Sequence, residues 1–151
     1  MAKMKIIVDG DGCPQKARKI CEEYAAYFMI DMVVVSSIDH NMYGDFRTII
    51  VDKGRDSADF RIIEIARKDD VVVTQDYGLA SLLLDKVYAI LNPVGFTYTY
   101  ENMDKLLMKR YMGQKIRRGG GRTRGPKKRK RQEDLLFEEE LLKTIENKLK
   151  R

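Results

Sequence analysis

The chain has 151 residues, 44% of them hydrophobic, and a formal net charge of +6. This length fits one domain with its own core, and no apolar run reaches the roughly 20 residues of a membrane-spanning helix. Two cysteines and one histidine leave no ligand set for structural zinc and indicate a reducing compartment. We therefore expect a cytoplasmic protein without a membrane segment.

Apolar runs alternate with amphipathic runs along the first two thirds of the chain. The first run has the β-branched character of a buried strand, and Pro14 suits the first turn of a helix because its missing N–H costs nothing there. The predicted strands are residues 5–8, 31–36, 48–51, 71–74 and 87–91. The predicted helices begin at Pro14, at Asp56 or Ser57, at residue 79, after a cap at Asn102, and at about residue 133. This alternation favours a three-layer α/β/α fold with a mainly parallel sheet of about five strands.

Positive charge is concentrated near the carboxyl end of the chain. Residues 105–131 contain thirteen Lys or Arg and no Asp or Glu, whereas residues 1–104 contain twelve basic and seventeen acidic side chains. An acidic globule with one basic segment favours a polyanionic partner, which we expect to be nucleic acid, with RNA favoured over DNA. We divide the chain into an α/β domain (1–112), a basic Gly/Arg/Lys-rich segment (113–131) and an amphipathic helix (132–151) that docks on the same domain.

The basic segment and its surroundings supply the predicted contacts to nucleic acid, whose backbone attracts Lys and Arg. The candidate phosphate contacts are Arg110, Arg117, Arg118, Arg122, Arg124, Lys127 and Lys128. Three tyrosines, Tyr98, Tyr100 and Tyr111, are candidates for stacking on bases, although core or surface packing is the favoured interpretation for each. The apolar residues predicted to dock the last helix are Leu135, Leu142, Ile145 and Leu149.

Five aspartates follow the ends of predicted strands. Asp9 and Asp11 follow the first strand, Asp56 and Asp59 follow the third, and Asp76 follows the fourth. Ligands of open α/β sheets bind beyond the carboxyl ends of the strands, where these residues converge if the strands are parallel. Carboxylate oxygens are the ligands that hard divalent cations prefer. The pattern therefore predicts a site for Mg²⁺ or Mn²⁺ at this edge of the sheet.

Each acid also has a structural interpretation. Gly10 and Gly12 give the backbone freedom for a strand-to-helix turn, in which Asp11 caps the first helix. Asp56 has the position of an N-cap for the second helix, and Asp59 that of a first-turn acid favoured by the helix dipole. Asp76 has the position of an N-cap for the third helix. The two interpretations remain open for each residue taken alone, and the convergence of the strand ends favours the metal site.

Several sequence blocks resemble a known family. The blocks VDGDGCP, GRDSAD, VVTQDYGLA, NPVGFTYTYENMDKLLMKRY and RRGGGRTRGPKK are similar, in this order, to those of the bacterial YaiI/YqxD family. The resemblance extends from Lys5 to about Phe137. The family usually has Ala where this chain has Gly10 and Gly12, a departure that leaves the acids intact.

That family is similar in turn to the PIN-like domains, which are metal-dependent nucleases. The resemblance implies a PIN-like fold, a catalytic acid after the first strand at Asp9, and a further one at Asp76 in the block that begins with Thr74. It implies a middle acid at Asp59 or Asp56. Asp11 is then an accessory acid, and the function implied is Mg²⁺- or Mn²⁺-dependent cleavage of RNA or DNA.

Two other functions are compatible with the same residues. The VDGDG block also resembles the loop of haloacid-dehalogenase-type phosphatases, in which Asp9 is the nucleophile and Asp11 the acid/base, with Ser36 and Lys53 in supporting places. A non-enzymatic nucleic-acid-binding protein with a degenerate site keeps the basic segment and uses the acids structurally. Whether the protein is an enzyme is left open by the sequence.

Overall fold

The structure, a computed structural model, describes residues 4–37, 44, 46–54, 56–118 and 131–150, without the side chains of residues 110 and 116–118. It is an α/β protein, as predicted. The strands are β1 (Lys5–Asp9), β2 (Asp31–Ser36), β3 (Arg47–Ile50), β4 (Val71–Val73), β5 (Ala89–Asn92) and β6 (Phe96–Thr97). The helices are α1 (Gln15–Phe28), α2 (Ser57–Ile65), α3 (Tyr77–Leu83), α4 (Tyr100–Arg118) and α5 (Arg131–Leu149).

The six strands form one sheet in the order β3-β2-β1-β4-β5-β6. The first five are mutually parallel where they pair, and β6 is antiparallel to β5. The chain first moves outward from β1 to β3 and then returns to the other side of β1. The strand order therefore reverses between β1 and β4, which is the topological switch point where open α/β sheets bind their ligands.

Helices cover both faces of this sheet, which gives three layers. On one face, Ile6 and Val8 of β1 pack in a cluster with residues of α1 and α5. On the other face, Ile7 packs in a cluster with residues of α2, α3 and α4. Because both faces are covered, the central strands are apolar on both sides of the pleat, as their sequences indicated.

The sixth strand was missing from the sequence prediction. Gly95 adopts a φ of 113° in the turn between β5 and β6, a conformation that favours glycine. A Cβ on Gly95 would lie 2.5 Å from Leu136 Cβ, so this turn and α5 approach each other closely. The strand is only two residues long, too short to give a periodicity signal in the sequence.

The fourth helix begins earlier than predicted, and Asn102 is not its cap. The Thr99 hydroxyl accepts a hydrogen bond from the Asn102 N–H at 3.1 Å, while Asn102 Oδ1 accepts from the Thr99 N–H at 2.8 Å. This reciprocal pair is a capping box with Thr99 as the N-cap. Asn102 therefore occupies the third position of the helix.

The last helix packs on the sheet through a different stripe from the predicted one. Phe137, Leu141 and Ile145 are fully buried in the same cluster as α1. Of the predicted docking residues only Ile145 is buried, and Leu135 and Leu149 are exposed. The helix has two apolar stripes, and contact with β5 and β6 selects the one spaced by four residues.

Among the described residues, no helix combines the length and the apolar composition that crossing a bilayer requires.

Candidate metal centre

The five predicted aspartates line a single cavity at the carboxyl edge of the sheet. Its volume is about 370 Å³, and its wall is formed by Asp9, Asp11, Gly12, Gly54, Asp56, Ser57, Ala58, Asp59, Gln75 and Asp76. The cavity lies beyond the ends of β1 and β4, at the topological switch point. Parallel pairing of these two strands brings residues together that are more than sixty positions apart in the sequence.

Asp9 is the buried member of the set, with 5% of its surface exposed. Its Oδ2 accepts a hydrogen bond from the Thr74 hydroxyl at 2.8 Å. Among the described residues, no donor reaches its other oxygen, Oδ1. Burial raises the pKa of Asp9, and the charges of Asp11 and Asp76 raise it further, against hydrogen bonds from Thr74 and the Asp11 N–H. A buried carboxylate oxygen without a partner is costly unless a cation or proton satisfies it.

Thr74 is held in place by a buried polar network that sequence reasoning missed. Tyr98 donates its hydroxyl hydrogen to the Thr74 carbonyl at 3.1 Å and accepts a hydrogen bond from the Asn92 side chain at 2.9 Å. Burial raises the pKa of Tyr98, so the phenol keeps the proton that it donates. Tyr98 is 3% exposed, so its ring packs in the core, as the favoured interpretation had it, and is not available to stack on a base. The network connects β5 and the segment after β6 to Asp9 through Thr74.

Asp76 is the N-cap of α3. Its Oδ1 accepts hydrogen bonds from the N–H groups of Gly78 at 2.9 Å and Leu79 at 3.2 Å, and its own N–H donates to the Thr74 hydroxyl at 3.0 Å. The structural interpretation of Asp76 as a cap is therefore correct. The cap also fixes the carboxylate in the wall of the cavity, so the two interpretations do not exclude each other.

Asp59 lies in the first turn of α2 and shares the cavity with Asp76. Burial raises the pKa of Asp59 from 3.8 to about 7, together with the charge of Asp76, a hydrogen bond with that residue, and the charges of Asp9 and Asp56. A carboxyl group whose pKa is raised by neighbouring carboxylates in this way lies in a region of excess negative charge. A cation in the cavity would relieve it.

Asp11 is tied to the end of β2. Its Oδ1 accepts from the Ser36 hydroxyl at 2.8 Å and the Ser37 N–H at 2.9 Å, and its Oδ2 accepts from the Ser37 hydroxyl at 2.7 Å. The N-cap position of α1 is Pro14, so Asp11 does not cap that helix. Its carboxylate fastens the loop after β1 to the neighbouring strand while it lines the cavity.

Asp56 occupies the N-cap position of α2 with a φ of 65° and makes no side-chain cap hydrogen bond. Positive φ is uncommon for a residue other than glycine. The cap interpretation is therefore correct for the position of Asp56 and wrong for its side chain, which lines the cavity instead.

The two glycines of the first block have different surroundings. A Cβ on Gly10 would lie 2.9 Å from Val34 Cγ1 and 3.1 Å from the Val35 carbonyl oxygen, whereas a Cβ on Gly12 would meet only Asp9 Oδ2 at 3.9 Å. Gly10 therefore permits close approach to β2, and Gly12 leaves open space beside the cavity.

The donor set is one that hard cations accept. Within the described residues, no group of three or more His, Cys, Asp or Glu side chains already has the mutual spacing of a metal site. Mg²⁺ usually takes one or two protein carboxylates and completes its shell with water and phosphate oxygens. Asp9, with its unpartnered oxygen, and the neighbouring carboxylates of Asp59 and Asp76 fit that more limited requirement.

The predicted phosphate contacts lie mostly beyond what the structure describes. Arg110, Arg117 and Arg118 belong to α4, but their side chains are not described. Arg122, Arg124, Lys127 and Lys128 lie outside the described residues.

Fold and site together define an α/β protein with an acidic cavity at the topological switch point. The family model described as "Uncharacterized BCR, YaiI/YqxD family" matches residues 7–147, and the chain belongs to this family, as the resemblance indicated. It is 45% identical over 150 residues to a "UPF0178 protein" of Enterococcus faecalis, covering 97% of this chain and 100% of that protein.

Two other relatives carry the same name. A "UPF0178 protein" of Alkaliphilus oremlandii is 45% identical over 147 residues, covering 97% of this chain and 94% of that protein. One from Clostridium kluyveri is 41% identical over 145 residues, with coverage of 95% and 94%. No solved structure matches the chain significantly.

Proposed function

We propose that the protein is a metal-dependent nuclease that cleaves phosphodiester bonds of RNA or DNA with Mg²⁺ or Mn²⁺ in the aspartate-lined cavity. The observation that carries the proposal is Asp9 Oδ1, a buried carboxylate oxygen without a partner among the described residues, in a cavity lined by four more aspartates. The PIN-like fold implied by the resemblance of the sequence blocks favours the same assignment. When bound, the cation would activate water and neutralise charge on the scissile phosphate.

The residues of the chain would have distinct roles. Asp9 and Asp76 hold the cation, with Asp59 as the third acid, and Thr74 orients the Asp9 carboxylate through its 2.8 Å hydrogen bond. Asp11 holds the loop that follows Asp9 against the end of β2. The basic residues of positions 105–131 would bind the nucleic-acid backbone through their charge.

Cleavage of labelled single-stranded RNA in Mn²⁺ tests the proposal. We expect wild-type protein to cleave and EDTA to stop the reaction. We expect Asp9→Asn and Asp76→Asn to abolish cleavage and to leave RNA binding intact, because both residues lie apart from the basic segment in the sequence. Asp31→Asn, at the exposed start of β2 on the amino edge of the sheet, is the matched control and should keep full activity. Equal cleavage by wild type and both cavity variants would indicate a contaminant and refute the assignment.

A non-enzymatic nucleic-acid-binding protein is the second candidate. The observation in its favour is that no three described side chains stand at metal-site spacing, while thirteen basic residues lie in residues 105–131. This function predicts salt-sensitive RNA binding without cleavage in any divalent metal. Binding would survive Asp9→Asn and Asp76→Asn unchanged.

The geometry gives no support to the phosphatase alternative. That mechanism needs the Ser36 hydroxyl for the phosphate and Asp11 as a mobile acid/base. Here the Ser36 hydroxyl donates to Asp11, and both carboxylate oxygens of Asp11 accept hydrogen bonds. A covalent phosphoryl adduct trapped on Asp9 would reverse this conclusion.

A further inference from the structure

The outer face of α4 carries apolar side chains that the rest of the described chain leaves uncovered. The first half of this helix packs on the sheet through Met103, with Leu106 beside it. Further along, Met108 is 60% exposed, Tyr111 56% and Met112 48%. Large apolar side chains that lie together on a surface mark an interaction site.

The side chains on the exposed face of α4 have the spacing that is typical of the contact between two paired helices. Its side chains recur every three or four residues on the side of the helix away from Met103. They are Glu101, Asp104, Met108, Tyr111 and Lys115. Residues at this spacing form one stripe along an α-helix, and a repeat that alternates three and four is the one by which two helices pack in a coiled coil.

The charged residues at the two ends of this stripe indicate which kind of surface it would bind. Glu101 lies seven residues before Met108, and Lys115 lies seven residues after it, which is about 10 Å along the axis in each direction. Two such helices that run antiparallel and cross at Met108 place the Glu101 of each copy opposite the Lys115 of the other. A parallel arrangement would set like charges against each other. The stripe is thus complementary to itself in one orientation.

We propose that α4 is a homodimer interface in which two copies of the chain pair antiparallel about a two-fold axis at Met108. The contact buries Met108, Tyr111 and Met112 of both copies and forms two symmetry-related Glu101–Lys115 pairs. Such an isologous contact closes on itself and stops at a dimer. The inference does not depend on the nuclease function.

Nucleic acid is the alternative occupant of this face. Lys105 and Lys109 on α4 suit a phosphate backbone. A phosphate backbone leaves Met108 and Met112 without an apolar partner, and it gives no role to Glu101 at the start of the stripe. A second copy accounts for both features.

Sedimentation velocity of the full chain, freed of nucleic acid, tests the proposal at low and high micromolar concentration. We expect wild type to sediment as a dimer. Met108→Asp should weaken dimerisation by about tenfold or more, because it sets two buried carboxylates against each other at the two-fold axis. Leu135→Asp, which puts the same charge at an exposed leucine of α5, is the control and should remain dimeric. Circular dichroism checks that both variants are folded.

Charge exchange then tests the antiparallel orientation. Glu101→Lys and Lys115→Glu should each weaken the dimer about fivefold, and the double variant should restore it, since each pair is rebuilt with reversed signs. A monomeric wild type, a dimeric Met108→Asp or a double variant that is no better than the singles would each overturn the proposal. A chain that is monomeric alone, with α4 protected from hydrogen exchange only when single-stranded RNA is added, would also overturn it and assign the face to nucleic acid.

Discussion

Two buried aspartates lie beside the central strands at opposite edges of the sheet, and their surroundings differ. Asp70, at the amino edge, is fully buried. It accepts hydrogen bonds from the Lys5 ammonium at 2.6 Å, the Lys5 N–H at 3.2 Å and the Arg67 N–H at 2.7 Å. Asp9, at the carboxyl edge, has one oxygen without a partner among the described residues and acidic neighbours. The charge of Asp70 is compensated by neighbouring donors, whereas one oxygen of Asp9 has no compensating donor among the described residues.

The same substitution at the two positions should therefore have opposite effects on stability. We expect Asp70→Asn to lower the free energy of unfolding by about 3 kcal/mol, because it breaks a buried ion pair and leaves the Lys5 charge without its counterion. Urea denaturation followed by circular dichroism measures the change. A loss below about 0.5 kcal/mol, the size of an ordinary surface substitution, would show that Asp70 is not the structural acid of the pair.

Tyr98→Phe tests how the carboxyl edge is held together. The variant removes the hydroxyl that donates to the Thr74 carbonyl and leaves the ring in place, so we expect a loss of about 1.5 kcal/mol. If the network positions Asp9, Mn²⁺ binding measured by calorimetry should weaken as well. Phe96→Leu changes a neighbouring ring outside the hydrogen-bond network and serves as the control. Loss of stability with unchanged Mn²⁺ affinity would leave Tyr98 with a packing role alone.

Asp9→Asn makes at the carboxyl edge the same change that Asp70→Asn makes at the amino edge. In metal-free protein we expect it to raise the free energy of unfolding by about 1 kcal/mol, because it removes a buried negative charge next to Asp11 and Asp76. The same variant should lose the stabilisation that Mg²⁺ or Mn²⁺ gives to wild type. Thermal unfolding with EDTA and with each cation separates the two effects. A variant less stable than wild type in EDTA would mean that Asp9 is structural, as Asp70 is.

The convergence of the acids could be predicted from sequence because it depends on local features. Each strand is an apolar run, the first, third and fourth runs end in an acid or lead to one, and parallel pairing brings those ends to one edge. The partners of individual side chains are long-range. The Asp11 carboxylate accepts hydrogen bonds from Ser36 and Ser37 at the end of the neighbouring strand, and Tyr98 reaches Thr74 from beyond β6. No spacing in the chain indicates these contacts.

The face of α5 that packs on the sheet also depends on long-range contacts, so the sequence of the helix alone does not predict it. Residues 135, 142 and 149 and residues 137, 141 and 145 are two apolar stripes on one helix, and both have helical spacing. Which stripe faces inward depends on the surface that receives the helix. Here the close approach of the turn at Gly95 to Leu136 and the packing of α1 against Phe137 settle the orientation, and neither feature is visible in the sequence of the helix.

The smallest effect is expected from the pH dependence of Asp59, whose side chain is partly solvated. Because the pKa of Asp59 is raised from 3.8 to about 7 in the folded protein, the folded state holds this proton more tightly than the unfolded chain does. Its contribution to stability is therefore complete below pH 3.8 and is lost as the pH rises to about 7. The stability of metal-free wild type should fall across this window relative to Asp59→Asn, in which the group does not titrate.

Urea denaturation of both proteins at several pH values in EDTA measures that difference, and low salt makes it largest because the interacting charges are least screened. Mg²⁺ should reduce the fall, since a cation among Asp9, Asp59 and Asp76 replaces the proton as the compensating charge. The Asp70→Asn protein, whose cavity is intact, should show the same response to Mg²⁺ as wild type. If the free energies of unfolding of wild type and Asp59→Asn differ by the same amount from pH 4 to pH 7, the carboxylates of the cavity are too far apart to affect one another's ionisation. The contrast between the two edges of the sheet would then depend on the unpartnered oxygen of Asp9 alone.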